Sequence, residues 1–216
     1  MSRSNYYKKL IWLALFAVAM AYFEAAVVVY LRELFYPDSF PFPLKIIPFN
    51  LLAVELFREA ATLVMLVAVT AVAGKKFWER FGYMIMLFGV WDIFYYVWLK
   101  ATMGWPTSLQ DWDILFLIPV PWIGPVIAPI LVALLMIVVG TVITDLYDRG
   151  FIYRPGLTTW LLTLLGTGLI LYSFLSDTLA GLHQQLPQPY LYSLLAAGLF
   201  LYGLAFVVSL RNVKKN

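Results

Sequence analysis

The 216 residues are 63% hydrophobic and only 12% charged, which leaves too little polar surface to cover a water-soluble globule. The formal net charge of +3 does not indicate nucleic acid, because most Lys and Arg residues gather just outside apolar runs instead of forming a basic face. The absence of cysteine excludes disulfides, iron–sulfur clusters, thiolate zinc sites and cysteine nucleophiles together.

These properties predict an all-α, polytopic membrane helix bundle, a single transmembrane domain over 1–216 with the lipid bilayer as its main partner. No stretch is long enough for a separate soluble domain. Spanning the hydrocarbon layer takes roughly 20 helical residues, and six segments qualify: 10–31, 51–73, 81–100, 125–144, 157–176 and 190–210. Arg3, Lys8 and Lys9 precede an apolar run too long for a signal-peptide core, and no small-residue cleavage site follows it, so the first segment is expected to remain as a helix. Gly74, Lys75 and Lys76 end the second segment, Pro155 and Gly156 precede the fifth, and Pro187 and Pro189 precede the sixth. Helices break at low cost at such positions.

The basic residues set the orientation. Arg3, Lys8 and Lys9, then Lys75, Lys76 and Arg80, then Arg149 and Arg154, then Arg211, Lys214 and Lys215 fall in alternate connections. The positive-inside rule therefore predicts both termini in the cytoplasm of a cell whose cytoplasmic (inner) or equivalent membrane holds the chain. The opposite connections are poor in Lys and Arg. Two of them are rich in prolines and aromatics: Tyr36 to Phe49 and Trp105 to Pro129. Prolines at 119, 121, 125 and 129 exclude a regular helix through the second. Its apolar character suits either a lid or re-entrant segment over the outer end of the bundle or an interfacial stretch with aromatic anchors.

Charged residues inside the spans mark the candidate site. Counting from the cytoplasmic side at about 1.5 Å per residue, Asp92 lies ~17 Å up, Glu24 and Glu59 ~21 Å, and Glu55 ~27 Å across a core of about 30 Å. Glu55 and Glu59 are four apart on one helix face, with Arg58 on the adjacent flank. A charge facing lipid costs several kcal/mol, so Glu24, Glu55, Arg58, Glu59 and Asp92 are expected to face one another or water. Four acids against one guanidinium cannot all stay ionised in a low dielectric. Protons, a bound hard divalent cation held by Glu24, Glu55, Glu59 and Asp92, or Lys100 and Lys45 reaching in from the rim are the candidate neutralisers. A structural ion-pair network that fixes helix register is the alternative role for the same residues.

Other polar residues read differently. Glu33 beside Arg32 and Glu79 beside Arg80 suggest interface pairs without a role in the site, and Asp145 and Asp148 beside Arg149 suggest solvated capping or a local salt bridge. Asp111, Asp113 and His183 are expected at the rim. His183 is the only histidine, which argues against di-iron chemistry built on Glu-x-x-His pairs. No HExxH, GxSxG or glycine-rich phosphate loop is present. Trp91, Phe94, Tyr95, Tyr96 and Trp98 surround Asp92 in sequence and would suit a lipid-soluble or cationic ligand, or serve as packing.

Three functions fit this pattern. The site could bind or transform a lipid-phase ligand with proton or hard-cation involvement. The chain could be a structural or assembly subunit, docking on other membrane subunits or on copies of itself through small residues such as Gly166, Gly168, Gly198 and Gly203. It could move protons or cations, although the inner halves of the spans hold no charge and no inverted repeat is evident.

Overall fold

The computed structural model describes residues 3–35, 48–176, 178 and 189–215. Six helices dominate it: α1 (Arg3–Phe35), α2 (Phe49–Ala73), α3 (Phe77–Met103), α4 (Ile127–Asp148), α5 (Leu157–Leu175) and α6 (Tyr192–Leu210). All six are long and apolar enough to cross a membrane. They match the expected spans within a few residues, except that α1 starts seven residues earlier. Its 33 residues reach ~50 Å, well past a hydrocarbon layer of about 30 Å.

The fold is not purely α. The proline-rich connection forms an antiparallel hairpin of β1 (Trp112–Phe116) and β2 (Trp122–Pro125), in register Trp112↔Pro125, Asp113↔Gly124 and Ile114↔Ile123, with a bulge between Ile114 and Phe116. The prolines flank or end the strands, where no ladder N–H is needed. Pro129, within the expected fourth span, occupies the third position of α4, where its missing N–H is one of the four a helix start leaves unpaired. At the opposite end, β3 (Phe151–Ile152) pairs with β4 (Lys214–Lys215).

Small residues decide how the helices meet. In the α3–α4 pair, a Cβ on Gly89 would fall 2.5 Å from the Ala133 carbonyl oxygen, and one on Gly140 would fall 2.4 Å from that of Gly82. These backbones are too close for any side chain, and the pairs 82 with 143 and 89 with 133 show the helices running antiparallel. The α5–α6 hairpin uses Gly166 against Gly198 in the same way, with hydrogen bonds between Thr167 and Tyr202 (2.7 Å) and between Ser173 and Tyr190 (2.9 Å). It joins the rest of the bundle through an aromatic cluster in which Phe174 stacks on Trp122 of the β1–β2 hairpin.

Both chain ends lie at one end of the bundle. Arg3 forms ion pairs with Asp145 and, at 3.4 Å, with Asp148, near the end of α4, and β4 pairs just beyond α4. Arg149 also reaches Asp145, at 2.7 Å, as the local salt bridge expected there. Glu79 and Arg80 do not pair with each other: Glu79 accepts from the Lys75 N–H at 2.7 Å at the start of α3, and Arg80 donates to the Gly74 carbonyl at 2.9 Å. The β1–β2 hairpin lies at the other end, and the charged side chains of the bundle interior lie toward it.

Candidate functional site

Arg58 is the hub of the first polar group. It pairs with Glu24 across the α1–α2 contact and with Glu55 on its own helix at 2.8 Å, while Thr62 donates a hydrogen bond to Glu24. Glu24, Glu55 and Glu59 are all buried. One guanidinium therefore serves two carboxylates, and the helix face expected from the spacing of Glu55 and Glu59 turns inward as a unit.

Glu59 does something the sequence did not suggest. Both its carboxylate oxygens accept from the Leu117 backbone N–H, at 3.1 and 3.0 Å, just past the end of β1. A carboxylate on α2 thus holds the hairpin against the bundle. The Thr178 hydroxyl adds a further tie by donating to the Pro121 carbonyl at 2.7 Å.

The second polar group was missed. Arg32 was read as an interface partner of Glu33; instead it turns inward and pairs with Asp113 at 3.1 Å, and both are almost fully buried, 4% and 2% exposed. The guanidinium also lies over the Trp105 ring, 3.7 Å from its centroid, a cation–π contact that offsets part of its desolvation. A partial signal existed: at about 100° per residue Arg32 stands roughly 80° around α1 from Glu24, whereas Glu33 stands roughly 180° away, on the opposite face. Asp113 is not a solvated rim residue. The strand alternation of β1 points it inward, and burial pushes its carboxyl up to about 6 against the opposing pull of the Arg32 guanidinium and of hydrogen bonds from the Tyr96 hydroxyl and the Ile114 backbone N–H.

Asp92, on α3, is half-buried and within electrostatic range of Asp113. Among the described residues it makes no hydrogen bond and no ion pair. Tyr95, one turn on, feels the fields of Arg32, Arg58, Asp92 and Asp113 together, which joins the two groups into one polar array. Every arginine in it is already engaged by an acid.

The remaining expectations fare unevenly. Lys100 does not supply countercharge to the array; its ammonium donates to the Gly104 carbonyl at 3.0 Å at the exposed end of its own helix. Asp111 braces its own loop, accepting from Thr107 N–H (2.7 Å), the Thr107 hydroxyl (2.9 Å) and Ser108 N–H (3.2 Å). Burial alone would raise its carboxyl, but these bonds outweigh it and hold the group below the ordinary carboxylate value. His183 and Lys45 lie outside the described residues. Among those described, no group of three carboxylates converges to hold a metal ion, since Glu24 and Glu55 turn to Arg58 and Glu59 turns to the hairpin.

No known family model, no curated protein and no solved structure matches this chain.

Proposed function

We propose that this chain is an integral protein of the cytoplasmic or an equivalent membrane, with both termini cytoplasmic, and that the polar array of α1, α2, α3 and the β1–β2 hairpin binds or transforms a lipid-phase ligand. The observation that carries this proposal is Asp92, a half-buried carboxylate midway along an apolar helix with no partner among the described residues. An ionisable group placed there costs several kcal/mol unless something compensates it. The other acids are supplied by Arg58, Arg32, Thr62 or a backbone N–H, so what compensates Asp92 comes from outside the set: a proton, a cation or a ligand.

The basic residues gather at the end of the bundle that also holds both termini, which supports the assigned orientation. That orientation places the array and the hairpin in the outer half of the bilayer. Purification in mild detergent followed by native mass spectrometry tests the function. A copurifying small molecule is expected in the wild type and lost in Asp92→Asn. Identical spectra for the wild type, Asp92→Asn and Glu59→Gln, all without adduct, would reject it.

Assembly with other membrane helices is a second function that one observation favours. Gly168 and Gly203 have open space where a Cβ would stand, unlike Gly166 and Gly198, which are spent on the α5–α6 contact. A stable species at 24.7 kDa by mass measurement in mild detergent would count against assembly.

A further inference from the structure

We infer that the end of the bundle carrying both termini binds anionic phospholipid, whose headgroup phosphate is received by a basic patch folded together over an aromatic face. This rests on the membrane placement proposed above and is independent of the polar array at the other end. Lys75, Lys76, Arg154, Arg211, Lys214 and Lys215 are all exposed there, and among the described residues none of them forms an ion pair. The acids of that end are taken by other cations: Asp145 by Arg3 and Arg149, Asp148 by Arg3, and Glu79 by Lys9 at 3.9 Å.

Sorting by charge requires only that these cations lie on one side of the membrane. The fold does more and gathers them from three separate segments. The β3–β4 ladder sets Phe151 opposite Lys215 and Ile152 opposite Lys214, and a Cβ on Gly156 would fall 2.9 Å from the Asn212 side-chain nitrogen. The chain from 151 to 156, which holds Arg154, therefore runs alongside the tail that holds Arg211, Lys214 and Lys215. The third segment joins through its rings. Trp78, two residues after Lys76, packs on Tyr153 and on Trp160 with centroids 5.9 Å away in each case, and Phe77 and Phe81 flank it at 5.0 and 5.5 Å.

Depth identifies the partner. Lys76 immediately precedes α3 and Arg211 immediately follows α6, so the charges stand where an apolar span meets the headgroup layer. Phe77, Phe81 and Trp160 are exposed at the level where aromatic rings border a bilayer. A soluble acidic partner would reach the cations from water and leave those rings uncovered. A phospholipid covers both: its phosphate accepts charge-assisted bonds from the guanidinium and ammonium groups, and its glycerol and upper acyl chain lie on the rings. The head must be net negative, because a zwitterionic head brings its own cation to a surface that already has a surplus.

The test titrates the full chain in mild detergent with phosphatidylglycerol and with phosphatidylcholine of the same acyl chains, bound lipid being counted by native mass spectrometry. Phosphatidylglycerol is expected to bind more tightly by roughly 10- to 100-fold, at roughly fivefold per cation engaged. Arg154→Gln combined with Lys214→Gln is expected to remove most of that preference, and Arg154→Lys combined with Lys214→Arg to keep it. Trp160→Leu is expected to weaken binding although no charge changes, and Lys100→Gln, at the opposite end, to leave it as it is. Equal affinity for the two lipids, or a preference that survives the double Gln variant, overturns the proposal, as does an equal loss in Lys100→Gln. Should the variants fail to fold, hydrogen exchange on the wild type decides: phosphatidylglycerol and not phosphatidylcholine is expected to slow exchange in 151–156 and 211–215, and slowing confined to other segments overturns it. Binding in detergent does not depend on the direction of insertion, so orientation is tested apart, by labelling Lys215→Cys, in a chain with no cysteine of its own, with a membrane-impermeant maleimide. Labelling from the outer side would overturn the cytoplasmic placement of the termini, while the lipid preference stands or falls on the titration.

Discussion

Arg32 and Asp113 stand 81 positions apart in sequence, yet their side chains meet at 3.1 Å with almost no exposure to solvent. This ion pair ties the last turns of α1 to the β1–β2 hairpin. With Glu59 bonded to Leu117 from α2, two helices hold the hairpin through charged side chains, and the hairpin in turn meets α5 through Trp122 and Phe174.

Removing one member of a buried pair leaves an uncompensated charge and costs about 3–5 kcal/mol, whereas replacing both with apolar groups is often neutral. Arg32→Met is therefore expected to lower the thermal midpoint sharply, and the double variant Arg32→Met with Asp113→Leu to recover most of the loss. The measurement is a melting curve by intrinsic Trp fluorescence in detergent. A single variant as stable as the wild type would show that the pair contributes little.

Asp113 also carries a pH signature. Its carboxyl is raised to about 6 in the folded protein, from an ordinary value near 3.8. A raised folded value means that the native state binds the proton more tightly, so this group favours folding most below pH 4 and its contribution fades as pH rises through 6. Acidification from pH 7 to pH 5 is expected to raise the midpoint of the wild type more than that of Asp113→Asn. Arg32, Asp92, Tyr95 and Tyr96 face the same carboxylate, and the difference between the two proteins isolates its share. Parallel pH curves would contradict the shift.

Glu59 makes a prediction about motion. A hydrogen bond to a charged acceptor is worth about 1.5–3 kcal/mol, so Glu59→Ala is expected to speed hydrogen exchange at the Leu117 amide by roughly 10- to 100-fold. Exchange in the α5–α6 hairpin should change far less. Unaltered exchange at Leu117 would mean that the hairpin is held by its aromatic contacts alone.

The spans were legible because apolar length is a one-dimensional property, and all six emerged within a few residues of their helices save for the start of α1, seven residues earlier than expected. Glu24, Arg58 and Glu55 were legible because helical spacing and the cost of charge in lipid both turn them inward. Arg32 was hidden by its neighbour Glu33, since adjacency suggests a pair that the 100° helical turn forbids. The hairpin was hidden for another reason: its strands are short and punctuated by prolines, and its pairing is fixed by tertiary partners such as Glu59 and Phe174 more than by its own alternation. Which glycines serve the fold was equally invisible, because Gly166 and Gly168 differ only in which side of α5 they occupy.

That glycine contrast gives the last prediction. Gly89→Ala and Gly140→Ala place a methyl 2.4–2.5 Å from a backbone oxygen, and because backbone cannot step aside, overpacking of this kind costs about 1–3 kcal/mol. Both variants should lower the thermal midpoint by parting α3 from α4. Gly168→Ala and Gly203→Ala meet open space and restrict the unfolded chain, so they are expected to be neutral or slightly stabilising for the isolated chain. If these two instead shift the mass of the purified particle without changing its midpoint, their surfaces are contacts with another helix, and assembly gains the support that stability measurements alone would not give. A loss of midpoint equal to that of Gly89→Ala would show that α5 and α6 pack more tightly on their outer faces than the structure has them.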